Sequence, residues 1–237
     1  LTLVKDGPSY RRSYIDELLI RTHPKYVAKR IDLESLLKQR NAFLKQAKGY
    51  LTTEGKNTLS VWSEQFADAS QEWGQLRKET LKDLQQIAQK AYEDYTGNTE
   101  DLTITYNPQW LTKGLLSCLK EIENDELRRA TTLIGPHRDD IDIFLNEMPA
   151  RTHASQGEQR TIALSLRIAG HLFLYGVHKA KPLLLLDDVF SELDRERTER
   201  LLHLLVADQT FITTAIEPKY IDANTYYEIQ NGKVVTA

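Results

Sequence analysis

Two short runs hold the residue types that could do chemistry, LLLLDDVFSELD at 183–194 and ASQGEQR at 154–160. In the first, an apolar strand would deliver Asp187 and Asp188 to its C-terminal end, where α/β sheets hold their ligands. Adjacent carboxylates repel in apolar surroundings, so a cation or a polar cleft must stabilise them. Magnesium is the economical cation, because it takes oxygen ligands and keeps several waters; Asp187 would hold it through water. Asp188 would then polarise a water toward a terminal phosphate. In the second run, Ser155 and Gly157 directly precede a long apolar-patterned stretch. Exposed N–H groups and the positive end of a helix dipole make such a start receptive to phosphate. Alone, each run has a plain reading, a helix cap or a strand end followed by a cap. Together, about 30 residues apart in the order helix start then acidic strand end, they are more specific than either alone.

These runs need elements to position them. Leucines fill 183–186, as in a strand covered on both faces, and 211–215 is a second such strand after a helix at 195–206. Residues 160–178 are densely apolar and read as a buried helix. Residues 226–229 and 233–235 flank Asn231–Gly232, a hairpin signal. Strand–helix alternation in this half predicts a mostly parallel sheet. Leu102, Ile104 and Tyr106 alternate with threonines, Ile141, Ile143 and Leu145 alternate likewise, and Asn146 and Glu147 look like a turn. A short helix is expected around 115–127. Trp62, Phe66, Ala69, Trp73, Leu76, Thr80, Leu84, Ile87, Ala91 and Tyr95 step by three and four, predicting one helix over 58–95. Asn57 or Thr58 would cap it and Gly97–Asn98 end it, and it would be roughly 55 Å long unless Gly74 divides it. Its aromatic stripe reads as packing. Residues 13–48 carry helical spacing too, with Pro24 at a helix start.

The composition, 41% hydrophobic and 27% charged, is ordinary for a globular chain. No window approaches 18 consecutive apolar residues and no secretory signal is present, so neither a membrane span nor export is expected. A lone cysteine, Cys118, suits a reducing cytoplasm. The chain begins at Leu1 and its one methionine is Met148. With 1–4 reading as a buried strand entering mid-fold, a fragment is expected. The net charge of −3 hides a gradient: residues 1–50 carry 11 Lys/Arg against 5 Asp/Glu, 51–133 carry 9 against 14, and 134–237 carry 11 against 15. Nucleic acid would therefore meet the first 50 residues; the equal alternative is that Arg21, Lys25, Lys29, Lys38 and Lys45 only solvate a helix face.

GPSYRRSYID (7–16), QRN (39–41), GPHRDD (135–140), ASQGEQRTIALSL (154–166) and LLLDDVFSELD (184–194), in that order, resemble successive blocks of the bacterial RecF family. The resemblance covers essentially the whole chain. It implies an α/β fold, the C-terminal part of an ABC-type (P-loop NTPase) head sheet plus a mainly helical lobe. The lobe would span 1–133, with the short strand at 1–4, and the head part 134–237. It further implies an ATP-dependent, DNA-binding recombination mediator that dimerises on ATP. Such a protein acts with RecO and RecR in loading RecA at single-strand/double-strand DNA junctions, in the cytoplasm at the nucleoid. Residue by residue, Asp187 would be the Walker B acid serving Mg2+ and Asp188 the catalytic acid. Ser191 and Asp194 would belong to the D-loop. Ser155, Gln156, Gly157 and Glu158 would form the signature contacting ATP held by the other subunit.

Two departures matter. No G-x-x-x-x-G-K-[ST] occurs: Gly55–Lys56 and Gly232–Lys233 are followed by Asn and Val and lack the upstream glycine. The phosphate-cradling loop is thus absent from these residues, so ATP and Mg2+ need more than this chain for full binding, and the chain alone is expected not to hydrolyse ATP. Thr213 and Thr214 stand where many ABC proteins have a switch histidine; RecF-type chains tend toward threonine there. His137–Arg138–Asp139 fails as a kinase motif, since the required asparagine position is Phe144; a structural and a nucleotide-edge role stay open. Arg11 and Arg12, with Lys25 and Lys29, are candidates for DNA contact, Arg11 and Arg12 equally for stabilising the lobe junction. His153 reads as a packing or cap residue. The alternative to an ATPase is a non-enzymatic module that binds DNA or RecR.

Overall fold

A computed structural model of the chain describes residues 2–190, 193–215, 221, 223–230 and 232–236. They divide into two compact units, 1–180 and 181–237. The division expected between residues 133 and 134 falls inside the first unit, because later elements pack on the helical ones.

The first unit runs α1 (Thr2–Lys5), α2 (Pro8–Thr22), α3 (Lys25–Ala47), α4 (Thr53–Thr96), β1 (Leu102–Thr105), α5 (Gln109–Lys113), α6 (Leu115–Glu121), α7 (Glu123–Arg129), β2 (Asp142–Leu145), β3 (Met148–Pro149), α8 (Ala150–His153) and α9 (Gln156–His178). The 1–4 segment is helical from Thr2, correcting the expected strand. Leu3 and Val4 are buried, and the Arg11 guanidinium gathers the carbonyls of Leu3, Val4 and Asp6 that end the turn.

The spine is α4. Its 44 residues make it roughly 66 Å long. Thr52 caps it, its hydroxyl accepting the Gly55 N–H at 3.1 Å, ahead of the expected caps at Asn57 or Thr58. Gly97, at φ 72, closes the other end. Gly74 does not divide the helix; a Cβ there would lie 2.5 Å from the Trp110 ring, so the glycine serves close packing. The stripe of Leu59, Phe66, Trp73, Leu84 and Tyr95 is buried, while α3, α9 and β1 pack along the helix. Trp73 and Trp110 join Leu19, Leu33, Phe66 and Leu119 in the main core.

The sheet of this unit is antiparallel, in the order β1-β2-β3. Leu102 pairs with Leu145 and Ile104 with Ile143, so the four alternating apolar residues share the buried face. Asn146 and Glu147 turn β2 into β3 with φ of 49 and 64, as a two-residue primed turn requires. Among the described residues, no strand bonds the outer edge of β1. Instead, two side-chain amides of α4 bond its backbone: Gln85 takes the Leu102 carbonyl and Ile104 N–H, and Gln89 the Leu102 N–H and Glu100 carbonyl.

The second unit holds β4 (Leu183–Asp187), α10 (Arg195–Leu204), β5 (Gln209–Thr213), β6 (Tyr227–Gln230) and β7 (Lys233–Thr236). β4 and β5 are parallel; β6 and β7 form the expected antiparallel hairpin. Among the described residues this is the one parallel pair, and it joins the two strands expected at 183–186 and 211–215. Nor is β4 covered on both faces: Leu183 and Leu185 are 55% and 69% exposed, and Phe211 on β5 is exposed too. No described helix is long and apolar enough to cross a membrane.

Candidate functional site

The candidate residues fall into two groups, one in each unit. In the second unit, β4 delivers Asp187 to its C-terminal end, opposite Thr213 on β5. The Thr213 hydroxyl donates to Asp187 Oδ1. The Asp188 N–H points back at Thr213, 3.0 Å from its carbonyl and 3.2 Å from its hydroxyl. Asp188 has φ 49, the left-handed region that Asp tolerates better than most residues, so the chain leaves the strand in a tight, hydrogen-bonded corner. Asp194 caps α10, its carboxylate accepting the Arg197 N–H at 2.8 Å. Ser191 lies outside the described residues.

Among the described residues, no group of three His, Cys, Asp or Glu is set to hold a metal by itself. Mg2+ that rests mainly on phosphate oxygens and water needs only one or two carboxylates. Asp187, exposed at a strand end with one oxygen tied to Thr213, fits that requirement.

In the first unit, Ser155 caps α9 with a complete capping box. Its hydroxyl accepts the Glu158 N–H, and Glu158 Oε2 accepts the Ser155 N–H at 2.6 Å. These hydrogen bonds hold the Glu158 pKa below its ordinary value. Gln156 and Gly157 are exposed, and a Cβ added at Gly157 would meet nothing within 4 Å. No packing within the chain therefore demands glycine there. The turn is held from behind by Gln159, a residue the sequence reading passed over. Its buried amide donates to the carbonyls of Ala150, Arg151 and Ala154, tying α8 to α9. The nearby His153 is exposed and bonds Thr152.

The other singled-out blocks wire the first unit together. Asp139 accepts from Trp110 Nε1 at 2.8 Å and the Tyr106 hydroxyl at 2.7 Å, with Arg77 3.8 Å away. Burial raises its pKa despite these donors. Arg77 in turn grips both oxygens of Asp16 at 2.9 Å. His137 bonds the Thr132 carbonyl through Nε2, and burial lowers its pKa to about 4. Of the two readings left open for this motif, the packing of His137 and Asp139 matches the structural one.

The four tentative DNA contacts separate. Arg11 is 5% exposed and bidentate to Asp140, at 2.8 and 2.9 Å, so it is not presented to a ligand. Its pairing with Asp140 is the kind of contact its structural alternative calls for. Arg12 is half-buried with a guanidinium nitrogen on the Asp139 carbonyl, and burial, then Arg77, lowers its pKa. Lys29 pairs with Glu72. Lys25 is exposed, its ammonium 5.1 Å from the centre of the Tyr26 ring.

The QRN block also acquires a role that spacing alone did not reveal. Arg40 and Glu126, 1% and 0% exposed, pair at 2.6 Å between α3 and α7. Arg40 further donates to Thr132 and Ser63, while Asn41 and Glu126 accept the N–H groups of Thr132 and Leu133.

No family model matches the chain. Among curated proteins it is 33% identical to the DNA replication and repair protein RecF of Renibacterium salmoninarum, covering 92% of this chain and 64% of that one. It is likewise 33% identical to the same protein of Acidothermus cellulolyticus, over 100% of this chain and 67% of the relative. The chain thus spans about two thirds of the length of the relatives it matches. A solved structure of the recombination mediator protein RecF with ATP, from the RecFOR pathway, superposes with a TM-score of 0.88 at 29% identity. That match covers 99% of this chain and 64% of the other.

Proposed function

This chain belongs to the RecF family of DNA replication and repair proteins, and on that premise we propose that it carries two parts of the ATP site of a recombination mediator. One part is the Asp187–Asp188–Thr213 corner, which would receive the metal and orient water at its own subunit's nucleotide. The other is the 155–158 turn, which would reach the nucleotide of a second copy. The observation that carries this reading is the corner itself: a parallel strand pair ending in two acids and a threonine joined by hydrogen bonds. The open space at Gly157, at the N-terminus of α9, supports the reading of the second part, since nothing in the chain lies within 4 Å of where a Cβ would stand at 157, while the Ser155 and Glu158 N–H groups are held in the capping box.

ATP would then close two copies on DNA and its hydrolysis release them, the γ-phosphate acting as the bistable element. Mg2+ at Asp187 would neutralise charge on the phosphates. DNA contact falls to cations that remain presented, Lys25 first among those singled out, because Arg11 is spent internally. Action with RecO and RecR in loading RecA at single-strand/double-strand junctions belongs to the same reading, as does residence in the cytoplasm at the nucleoid.

The 237 residues contain no phosphate-cradling G-x-x-x-x-G-K-[ST] loop. The chain by itself should therefore show no ATP turnover above background. A steady-state assay that finds turnover, abolished by Asp188→Asn, would overturn the view that the site is shared with residues beyond these.

A further inference from the structure

The short hydroxyl of Thr213 makes two bonds at once. It donates its single proton to Asp187 Oδ1, and it accepts the Asp188 N–H at 3.2 Å, beside the Thr213 carbonyl at 3.0 Å. A hydroxyl carries one donor and two acceptor positions, so this arrangement occupies the donor fully. Register places the residue to do so, because Asp187 and Thr213 are direct partners at the ends of parallel strands. The Asp188 backbone is meanwhile held at φ 49, a conformation that needs support from its surroundings.

From this geometry we infer that Thr213 is a positioning residue for the acid pair, fixing the Asp187 carboxylate and the Asp188 corner before any cation or nucleotide arrives. The inference rests on the reading of Asp187 as the cation-binding acid. It differs from the role that the position implies by resemblance to a switch residue, since a proton committed to Asp187 is not offered to a terminal phosphate. Threonine is also a sound choice for the strand end, being β-branched and short enough to reach the Asp187 carboxylate and the Asp188 N–H together. With the hydroxyl removed, Asp187 loses the bond that orients it. Loss of a bond that orients a metal-binding carboxylate typically costs roughly tenfold or more in affinity.

The test uses this chain with Mn2+ as the probe, followed by paramagnetic broadening of the backbone amide signals around Asp187 and Thr213. The expected result is a broadening midpoint shifted to roughly tenfold higher Mn2+ in Thr213→Val, with Thr213→Ser restoring the original midpoint. Unchanged amide positions away from the strand ends show that the fold is kept. If Thr213→Val disturbs it, Thr213→Ser decides: a midpoint equal to that of the parent chain supports the hydroxyl, and a tenfold shift refutes it. A Thr213→Val midpoint equal to that of the parent chain overturns the positioning role and leaves the reading of Asp187 intact. Broadening at other exposed carboxylates of the parent chain with none near Asp187 at the same Mn2+ level removes that reading and the inference together.

Discussion

The buried pair of Arg40 and Glu126 makes a sharp prediction, because both members are sealed from water and all their polar partners are known. Replacing Arg40 with Met keeps most of the volume but strands the Glu126 carboxylate, which is 0% exposed. An uncompensated buried charge of this kind costs about 3–5 kcal/mol. For a unit of this size that is a fall in Tm of roughly 6–20 °C. The second variant, Arg40→Met with Glu126→Leu, removes both charges. It frees the Thr132 and Ser63 hydroxyls and the Leu133 N–H from their partners, at about 1 kcal/mol each. The two changes together should still cost clearly less than the sum of the two singles, with a coupling of about 2 kcal/mol or more. Urea melts followed by tryptophan fluorescence read this directly, since all three tryptophans, Trp62, Trp73 and Trp110, lie in the first unit. A loss below about 1 kcal/mol for Arg40→Met, or strictly additive singles, would refute the claim that this pair clamps α3 to α7.

Gly74→Ala gives a test of sign. Helix propensity alone favours alanine by about 1 kcal/mol, but the new Cβ would meet the rigid Trp110 indole at 2.5 Å. The variant should therefore lose about 1–3 kcal/mol in the same urea melts. His137 gives a test in pH. Its folded pKa of about 4 lies below the ordinary 6.5, so between these values the unfolded chain binds a proton that the folded chain does not. The stabilisation is present above 6.5 and is lost as pH falls toward 4, amounting to about 2 kcal/mol between pH 7 and pH 5. His137→Gln should flatten that slope while the fluorescence of the folded unit stays the same.

The parts of the fold readable from sequence are those set by local period and turn chemistry. Leu102, Ile104, Ile143 and Leu145 alternate because one face is buried, and Asn146–Glu147 marks a turn that needs positive φ. The acids after 183–186 and the Ser-x-Gly start of α9 were legible for the same reason, each being a strand end or helix start. Polar wiring was not legible, because partner choice is made across the chain: Arg11 meets Asp140 at a separation of 129 residues and Arg40 meets Glu126 at 86. Nothing local in RR, QRN or HRD distinguishes an arginine that grips a buried carboxylate from one offered to DNA. Four consecutive leucines look the same whether or not both faces are covered, and within these residues Leu185 is exposed. The helical turn at 2–5 has its carbonyls collected by Arg11 from the next helix, a contact that the period of the segment itself does not encode.

The two glutamines that face β1 amount to a ruler. Four residues along a helix advance about 6 Å and two residues along a strand about 6.7 Å. Side chains at i and i+4 therefore fall into step with alternate peptide groups of a neighbouring strand. Gln85 and Gln89 use that near-match to read off β1 at Leu102 and Ile104. Sliding the strand by one residue would break these bonds and also turn Leu102 and Ile104 to the wrong face. With its edge already occupied, β1 offers no template on which the strand of another molecule could grow. The helix thus sets the phase of the sheet and closes it to outsiders with the same two amides.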